Sequence, residues 1–325
     1  LLGVVSIFLF VKKPSDLYLY IILIVVYDLL GQLSMWLPAR EHIQKPHLDL
    51  IYAKQHIKPV ILLFLPQIAI SLYITLDRTM LGALSSTKDV GIYDQALKLI
   101  NILLTLVTSL GSVMLPRVSN LLSSGNQKAV NKLHEMSFLV YNLVIFPMIA
   151  GILIVNNDFV QFFLGQDFQY ARYAIAIMVF RMFFIGWTNI MGIQILIPHN
   201  KNREFMLSTT IPAFFSVGLN ILLIPSLGYI GASIVSVDTE GLVWLLQLYF
   251  TRSYLKEIKI LPSMLKILAA SLIMYGILYI IQPLLHFPSV VNVLISAMLG
   301  LFIYAGLVLT LRVLDFQELK SVFKK

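Results

Sequence analysis

Cysteine is absent from this 325-residue chain, which removes disulfides, thiolate metal sites and cysteine nucleophiles. Charge is scarce too. Only 12% of residues are Asp, Glu, Lys or Arg, against roughly 25% in a soluble domain, while 58% are hydrophobic and mean hydropathy is +0.86. A buried soluble core is excluded by that imbalance. No connection between apolar runs exceeds about 22 residues, so there is no room for an extramembrane catalytic domain. The only paired glycines at short spacing, in "LGYIGA", lack the phosphate-loop and dinucleotide patterns. All six histidines, His42, His47, His56, His134, His199 and His286, fall in connections or at span ends. With no His-Glu-x-x-His spacing and no acidic cluster, neither a metal, a cofactor nor an enzyme is expected.

What is present is apolar length. Nine runs, at about 16–37, 57–80, 91–115, 137–155, 171–197, 205–224, 230–250, 263–282 and 290–311, each approach the roughly 20 residues that a helix needs to cross a hydrocarbon core of about 30 Å. Only a helix satisfies its own backbone there. The expected fold class is therefore all-α, a polytopic transmembrane helix bundle. An apolar stub, Leu1 to Val11, precedes the runs, and with Leu as first residue it reads as a cut inside a helix, an N-terminally truncated chain.

Loop charges set the expected orientation. Alternate connections hold 15 basic residues on one side, among them Arg40, Lys45, Lys54, Arg117, Lys201, Arg252 and Arg312, and only Lys12, Lys13 and Lys88 on the other. By the positive-inside rule the first set and the C-terminus are cytoplasmic. The net charge of +8 is then explained by topology and anionic headgroups, with no nucleic-acid partner.

Polar residues inside the spans nominate a site. Asp94, Lys98, Asn101, Thr105, Thr108 and Ser112 recur at steps of 4, 3, 4, 3 and 4, one face of a helix across the membrane. That face is either a cavity wall or a packed surface whose hydroxyls bond their own carbonyls, with Asp94 and Lys98 as an i, i+4 pair. Ser233, Ser236, Glu240, Trp244 and Gln247 repeat the pattern, with Glu240 near the midplane, where a carboxylate is either functional or part of a structural ion pair. Asp238 projects away from that stripe. Gln67, Ser71, Thr75 and Arg78 share a third face, where Arg78 either reaches the cavity or snorkels. Arg181 lies about ten residues into its span, with Thr188 and Gly192 continuing its face. Arg78, Lys98 and Arg181 are read as a cationic lining suited to an anionic substrate. Glu240, Asp77 and Asp94 are the ion-coupling candidates. Pro66, Pro147, Gly151, Gly186, Gly192 and Pro212 mark sites of bending or close helix approach. Between Lys266 and Arg312 no charge interrupts the last two spans, which read as lipid-facing additions.

The segments "LPQIAISLYITLDRTMLG" with "VGIYDQALKL", "VMLPRVSNLLSSG", "GIQILIPHNKNREFM" and "LNILLIPSLGYIGASI" resemble the Wzx-type polysaccharide-transport flippases of the multidrug/oligosaccharidyl-lipid/polysaccharide (MOP) superfamily. The resemblance implies two six-helix lobes. Residues 1–37 would end the first, 38–56 form the cytoplasmic inter-lobe loop, 57–250 the complete second lobe, 263–311 two peripheral helices and 312–325 a cytoplasmic tail. It implies alternating-access transfer of an undecaprenyl-pyrophosphate-linked oligosaccharide repeat unit across the bacterial plasma (inner) membrane, for capsule, O-antigen or exopolysaccharide synthesis. Its partners would be the lipid-linked substrate, membrane lipids, and a polymerase with a chain-length regulator. An exporter of lipid-linked peptidoglycan precursor or of drugs, or a membrane polymerase or ligase of repeat units, are the alternatives.

Overall fold

The structure, a computed structural model, describes residues 2–40 and 50–313. Residues 41–49 of the expected inter-lobe loop, with Lys45, and residues 314–325 of the expected C-terminal tail lie outside the described residues. Among the described residues there is no strand, and eight helices are long and apolar enough to cross a membrane. The all-α bundle expected from composition is what forms.

The chain divides into two compact units, Leu1–Ile57 and Lys58–Lys325. In the first, α1 (Leu2–Phe10), α2 (Leu17–Ser34) and α3 (Trp36–Ala39) follow one another. Ser6 Oγ and Tyr27 Oη meet at 2.6 Å and tie α1 to α2. Asp16 closes the turn between them by accepting the backbone N–H groups of Lys12 and Lys13, at 3.0 and 2.9 Å. Those two donors favour its charged form and hold its carboxyl below the usual range. None of the side chains along α1 and α2 is buried, so their apolar faces are left for lipid or for other protein.

The second unit is entered along α4 (Leu50–Leu84), which contains the span read at 57–80. It continues through α5 (Thr87–Ser123), α6 (Gln127–Phe159), α7 (Ala171–Met178), α8 (Arg181–Thr188), α9 (Asn202–Leu227), α10 (Tyr229–Leu255), α11 (Leu261–Ile281) and α12 (Ser289–Thr310). Several helices overrun the apolar runs that announced them. The reason is local: Ser86 accepts the Asp89 N–H at 3.1 Å and Asn126 the Ala129 N–H at 3.1 Å, so α5 and α6 start at polar caps several residues outside the apolar stretch. The run at 171–197 is the exception, because it is not one helix. It breaks at Val179 and Phe180, resumes as α8, and ends as a π-helical segment, Asn189–Leu196. Arg172, in the first turn of α7, adds a fourth basic residue to the sparse side of the loop count.

The core lies between α5, α6, α7, α8 and α10, around Leu97, Ile100, Phe138, Ile145, Ile175, Met178 and Met182. Gly186 of α8 is needed there, since a Cβ would fall 2.3 Å from Ile145 Cδ1. The last two helices pack on α6 rather than standing free in lipid. Ile267, Ala270 and Met274 of α11 and Val308 of α12 form a second cluster with Ala150 and Ile154, and Tyr304 donates its hydroxyl to the Leu143 carbonyl at 2.8 Å. Their scattered polar residues Ser271, Asn292 and Ser296 are buried in that packing.

α9 and α10 turn into each other through Gly228, whose φ of 55° and ψ of −131° belong to a region open essentially to glycine. A side chain there would also meet the Asp89 carboxylate, 2.3 Å from the Cβ position. Gly228→Ala is expected to lower stability by about 1–3 kcal/mol, read as a lower melting temperature of the purified protein.

Candidate functional site

Five walls enclose a cavity of about 360 Å³ in the second unit. α4 supplies Tyr73, α5 Asn101, Thr105 and Thr108, the broken span Arg181, Thr188 and Asn189, α9 Thr209, and α10 Glu240 and Gln247. Hydroxyl and amide groups dominate its polar surface. Apolar filling comes from Ile70, Ile74, Leu104, Ile185, Ile193, Phe205 and Val243.

Charge enters at one place. Arg181, 2% exposed, puts Nη2 3.2 Å from Glu240 Oε1, and the Tyr73 hydroxyl donates to the same oxygen at 2.9 Å. The guanidinium is not saturated. Its Nε and Nη1 are buried without a hydrogen-bond partner, on a side chain that lines the cavity. A forked cation with spare donors is built for a planar or tetrahedral oxyanion. The break at Val179 and Phe180 places this side chain at the start of α8, and a regular helix through 171–197 would not have announced it.

A second buried cluster sits beside the first. Asp77, 2% exposed, accepts the Tyr93 hydroxyl at 3.0 Å and the Asn220 amide at 2.6 Å. Tyr73 and Asp77 are i, i+4 on α4, so one helix face feeds both clusters.

The sequence-derived candidates divide accordingly. Asn101, Thr105, Thr108, Arg181, Glu240 and Gln247 converge on the cavity. Thr105 and Thr108 also donate to the Asn101 and Leu104 carbonyls at 2.8 and 3.0 Å, so both readings of the α5 stripe are realised at once: self-bonded hydroxyls on a cavity wall. Ser112's side chain lies outside the described residues. Arg78 and Lys98 do not join Arg181. They flank Asp94 at 2.9 and 2.8 Å, half-exposed and away from the cavity lining, so the expected three-residue cationic wall is reduced to one arginine. Asp94 is thereby committed to two cations and is a poor coupling group. Ser233 and Ser236 are buried in helix packing, off the cavity, and Ser233 Oγ donates to the Tyr229 carbonyl at 2.7 Å. Asp77 is buried but is not on the cavity wall, and Asp238 is exposed. On α4 the expected stripe of Gln67, Ser71 and Thr75 is exposed, and the inward face is Ile70, Tyr73, Ile74 and Asp77. Trp244 joins an aromatic group with Phe183, Phe184 and Trp187.

Sequence reasoning missed Tyr73, Asn189, Thr209, Tyr93 and Asn220. The i, i+4 pair of Tyr73 and Asp77 in an apolar run was a usable signal. Thr209 shares a face of α9 with Ser216 and Asn220, a signal the sequence also held, whereas Asn189 meets its partners only across the fold.

Comparison with known proteins agrees with this architecture. Residues 16–173 match the family model described as "Polysaccharide biosynthesis protein". The chain is similar to a protein of Haloferax volcanii provisionally named as a low-salt glycan biosynthesis flippase, 23% identical over 243 residues, covering 73% of this chain and 50% of that protein. It is also similar to one from Escherichia coli strain K12 provisionally named as an O-antigen transporter, 28% identical over 195 residues, covering 58% of this chain and 46% of that protein. Among solved structures, the lipid II flippase MurJ in an inward closed conformation superposes with a TM-score of 0.72 at 16% identity, over 91% of this chain and 63% of that one. That likeness is one of fold. The chain spans about half the length of the curated relatives it matches. The resemblance to MOP-type flippases drawn from residues 65 to 234 is borne out by these matches.

Proposed function

We propose that this chain, which shares the fold of a lipid II flippase and matches a polysaccharide biosynthesis family model over residues 16–173, carries a lipid-linked oligosaccharide repeat unit across the membrane by alternating access. Undecaprenyl pyrophosphate is the proposed carrier, in a bacterial plasma membrane, for capsule, O-antigen or exopolysaccharide synthesis. The observation that supports it most is Arg181, with two buried guanidinium donors unused at a cavity whose other polar groups, Glu240 aside, are amides and hydroxyls. The pyrophosphate would take those donors. Asn101, Thr105, Thr108, Thr188, Asn189 and Gln247 would meet sugar hydroxyls. An acidic cavity, as a cationic drug would need, is not what these residues make, since Glu240 is already paired with Arg181.

Glu240 is the proposed coupling group. Anion binding at Arg181 competes with Glu240 for the same cation, so cargo and carboxylate cannot both hold it at full strength. A polymerase and a chain-length regulator are the proposed partners. The test is transfer of a fluorescent lipid-linked oligosaccharide in vesicles containing the purified protein, with lipid-linked peptidoglycan precursor as the competing cargo. Transfer of the precursor alone would refute the repeat-unit reading.

Two accessibility experiments follow from the absence of cysteine. Cysteines introduced at Asn101, Thr105 and Thr108 are expected to react with a small polar thiol reagent, while those at Leu99 and Leu103 do not. Equal reactivity would remove the cavity wall. For orientation, position 201 is expected to be labelled by an impermeant reagent only in inside-out vesicles and position 167 in intact cells, because basic residues concentrate on the first side.

A further inference from the structure

Two carboxylates and one guanidinium make up the charge of the buried network. Arg181 pairs with Glu240. Asp77 makes no ion pair among the described residues. The groups facing it are Tyr93 of α5, Asn220 of α9, Arg181 of α8, Glu240 of α10 and, on its own helix, Tyr73. One negative charge is therefore left over in the interior of a membrane protein, where an uncompensated carboxylate costs several kcal/mol. Asn220 supplies an independent sign of what is missing. It is fully buried, and its amide oxygen has no hydrogen-bond partner, although the same amide touches Asp77.

We propose that Asp77 carries a proton while Arg181 is committed to Glu240, so that the two carboxylates share one exchangeable proton as they share one arginine. A proton fits the site better than an alkali ion does. With Asp77 protonated, the Tyr93 hydroxyl at 3.0 Å turns to accept from it while the Asn220 amide still donates at 2.6 Å, so neither contact is lost. Asp77 is also off the wall of the Arg181 cavity. Tyr73, which bonds Glu240 and lies one turn from Asp77, joins the two acids. When cargo draws Arg181 away from Glu240, the balance of charge changes and the proton redistributes. The inference stands on charge balance and holds whatever glycan is carried.

Charge balance makes an unusual demand of the variants. In Glu240→Gln, Asp77 becomes the one carboxylate left to neutralise Arg181, and it loses its proton without being touched. The experiment is infrared spectroscopy of the purified protein at neutral pH, without cargo, reading the carbonyl stretch of a protonated carboxyl. The band is expected in the unaltered protein, and it disappears in Asp77→Asn and in Glu240→Gln alike. Should Asp77→Asn fail to fold, Glu240→Gln decides alone. Persistence of the band in Glu240→Gln, or its absence from the unaltered protein, would overturn the proposal. So would weakening of the band when choline chloride is replaced by sodium chloride, which would mark an alkali-ion site instead.

Discussion

Arg181→Ala is expected to abolish export and to weaken the fold at once. Removing the guanidinium leaves Glu240 buried with only the Tyr73 hydroxyl, and breaking a buried pair by deleting one partner costs about 3–5 kcal/mol. Binding suffers separately. Hydrogen bonds to charged groups contribute about 1.5–3 kcal/mol each, so loss of the unused Nε and Nη1 donors weakens an anionic cargo by roughly 10²-fold or more. The two effects are separable by a second change. Arg181→Ala combined with Glu240→Gln removes both charges and is expected to recover most of the melting temperature without recovering export. Arg181→Lys keeps a point charge without the fork and should export at a reduced rate. Normal export by Arg181→Ala at normal abundance would show that Arg181 is structural.

Glu240→Gln probes the opposite half of the pair. The amide keeps the size of the carboxyl and can still accept from Tyr73, so folding is preserved. Cargo binding is retained, because the unused Nε and Nη1 donors of Arg181 stay in place while Asp77 takes over as its counter-charge. Transport slows, since the step in which the carboxylate reclaims Arg181 and expels the anion is gone, and its dependence on external pH is lost with it. Glu240→Ala adds a modest stability defect by opening space beside Arg181. The measurement is transfer rate against external pH in reconstituted vesicles. An unaltered pH profile in Glu240→Gln would exclude Glu240 as the coupling group and turn attention to Asp77, since Asp94 is held by Arg78 and Lys98.

The membrane spans were legible in the sequence because hydrophobic length is a local property, written in consecutive residues and read the same way in any context. The polar face of α5 was legible for a similar reason: helical periodicity orders Asn101, Thr105 and Thr108 on one side before any partner is known. Depth alone singled out Arg181 and Glu240. That they meet at 3.2 Å, 59 residues apart in sequence, was decided by the packing of α8 against α10, and with it the sign of the cavity. The i, i+4 pair of Lys98 with Asp94 was local and legible, whereas helix packing brought Arg78 to the same carboxylate, put Ser233 and Ser236 into a helix interface, and turned Tyr73 and Asp77 inward in place of the more polar stripe on α4. No periodicity could foresee the break before Arg181 or the π-helical segment after Thr188, in a span that packs closely on other helices at Gly186 on Ile145 and Gly192 on Phe205. Sequence determined where the apolar runs lie and which residues share a helix face. Tertiary structure decided which charges neutralise one another, because buried electrostatics depends on contacts between residues that the chain itself keeps far apart.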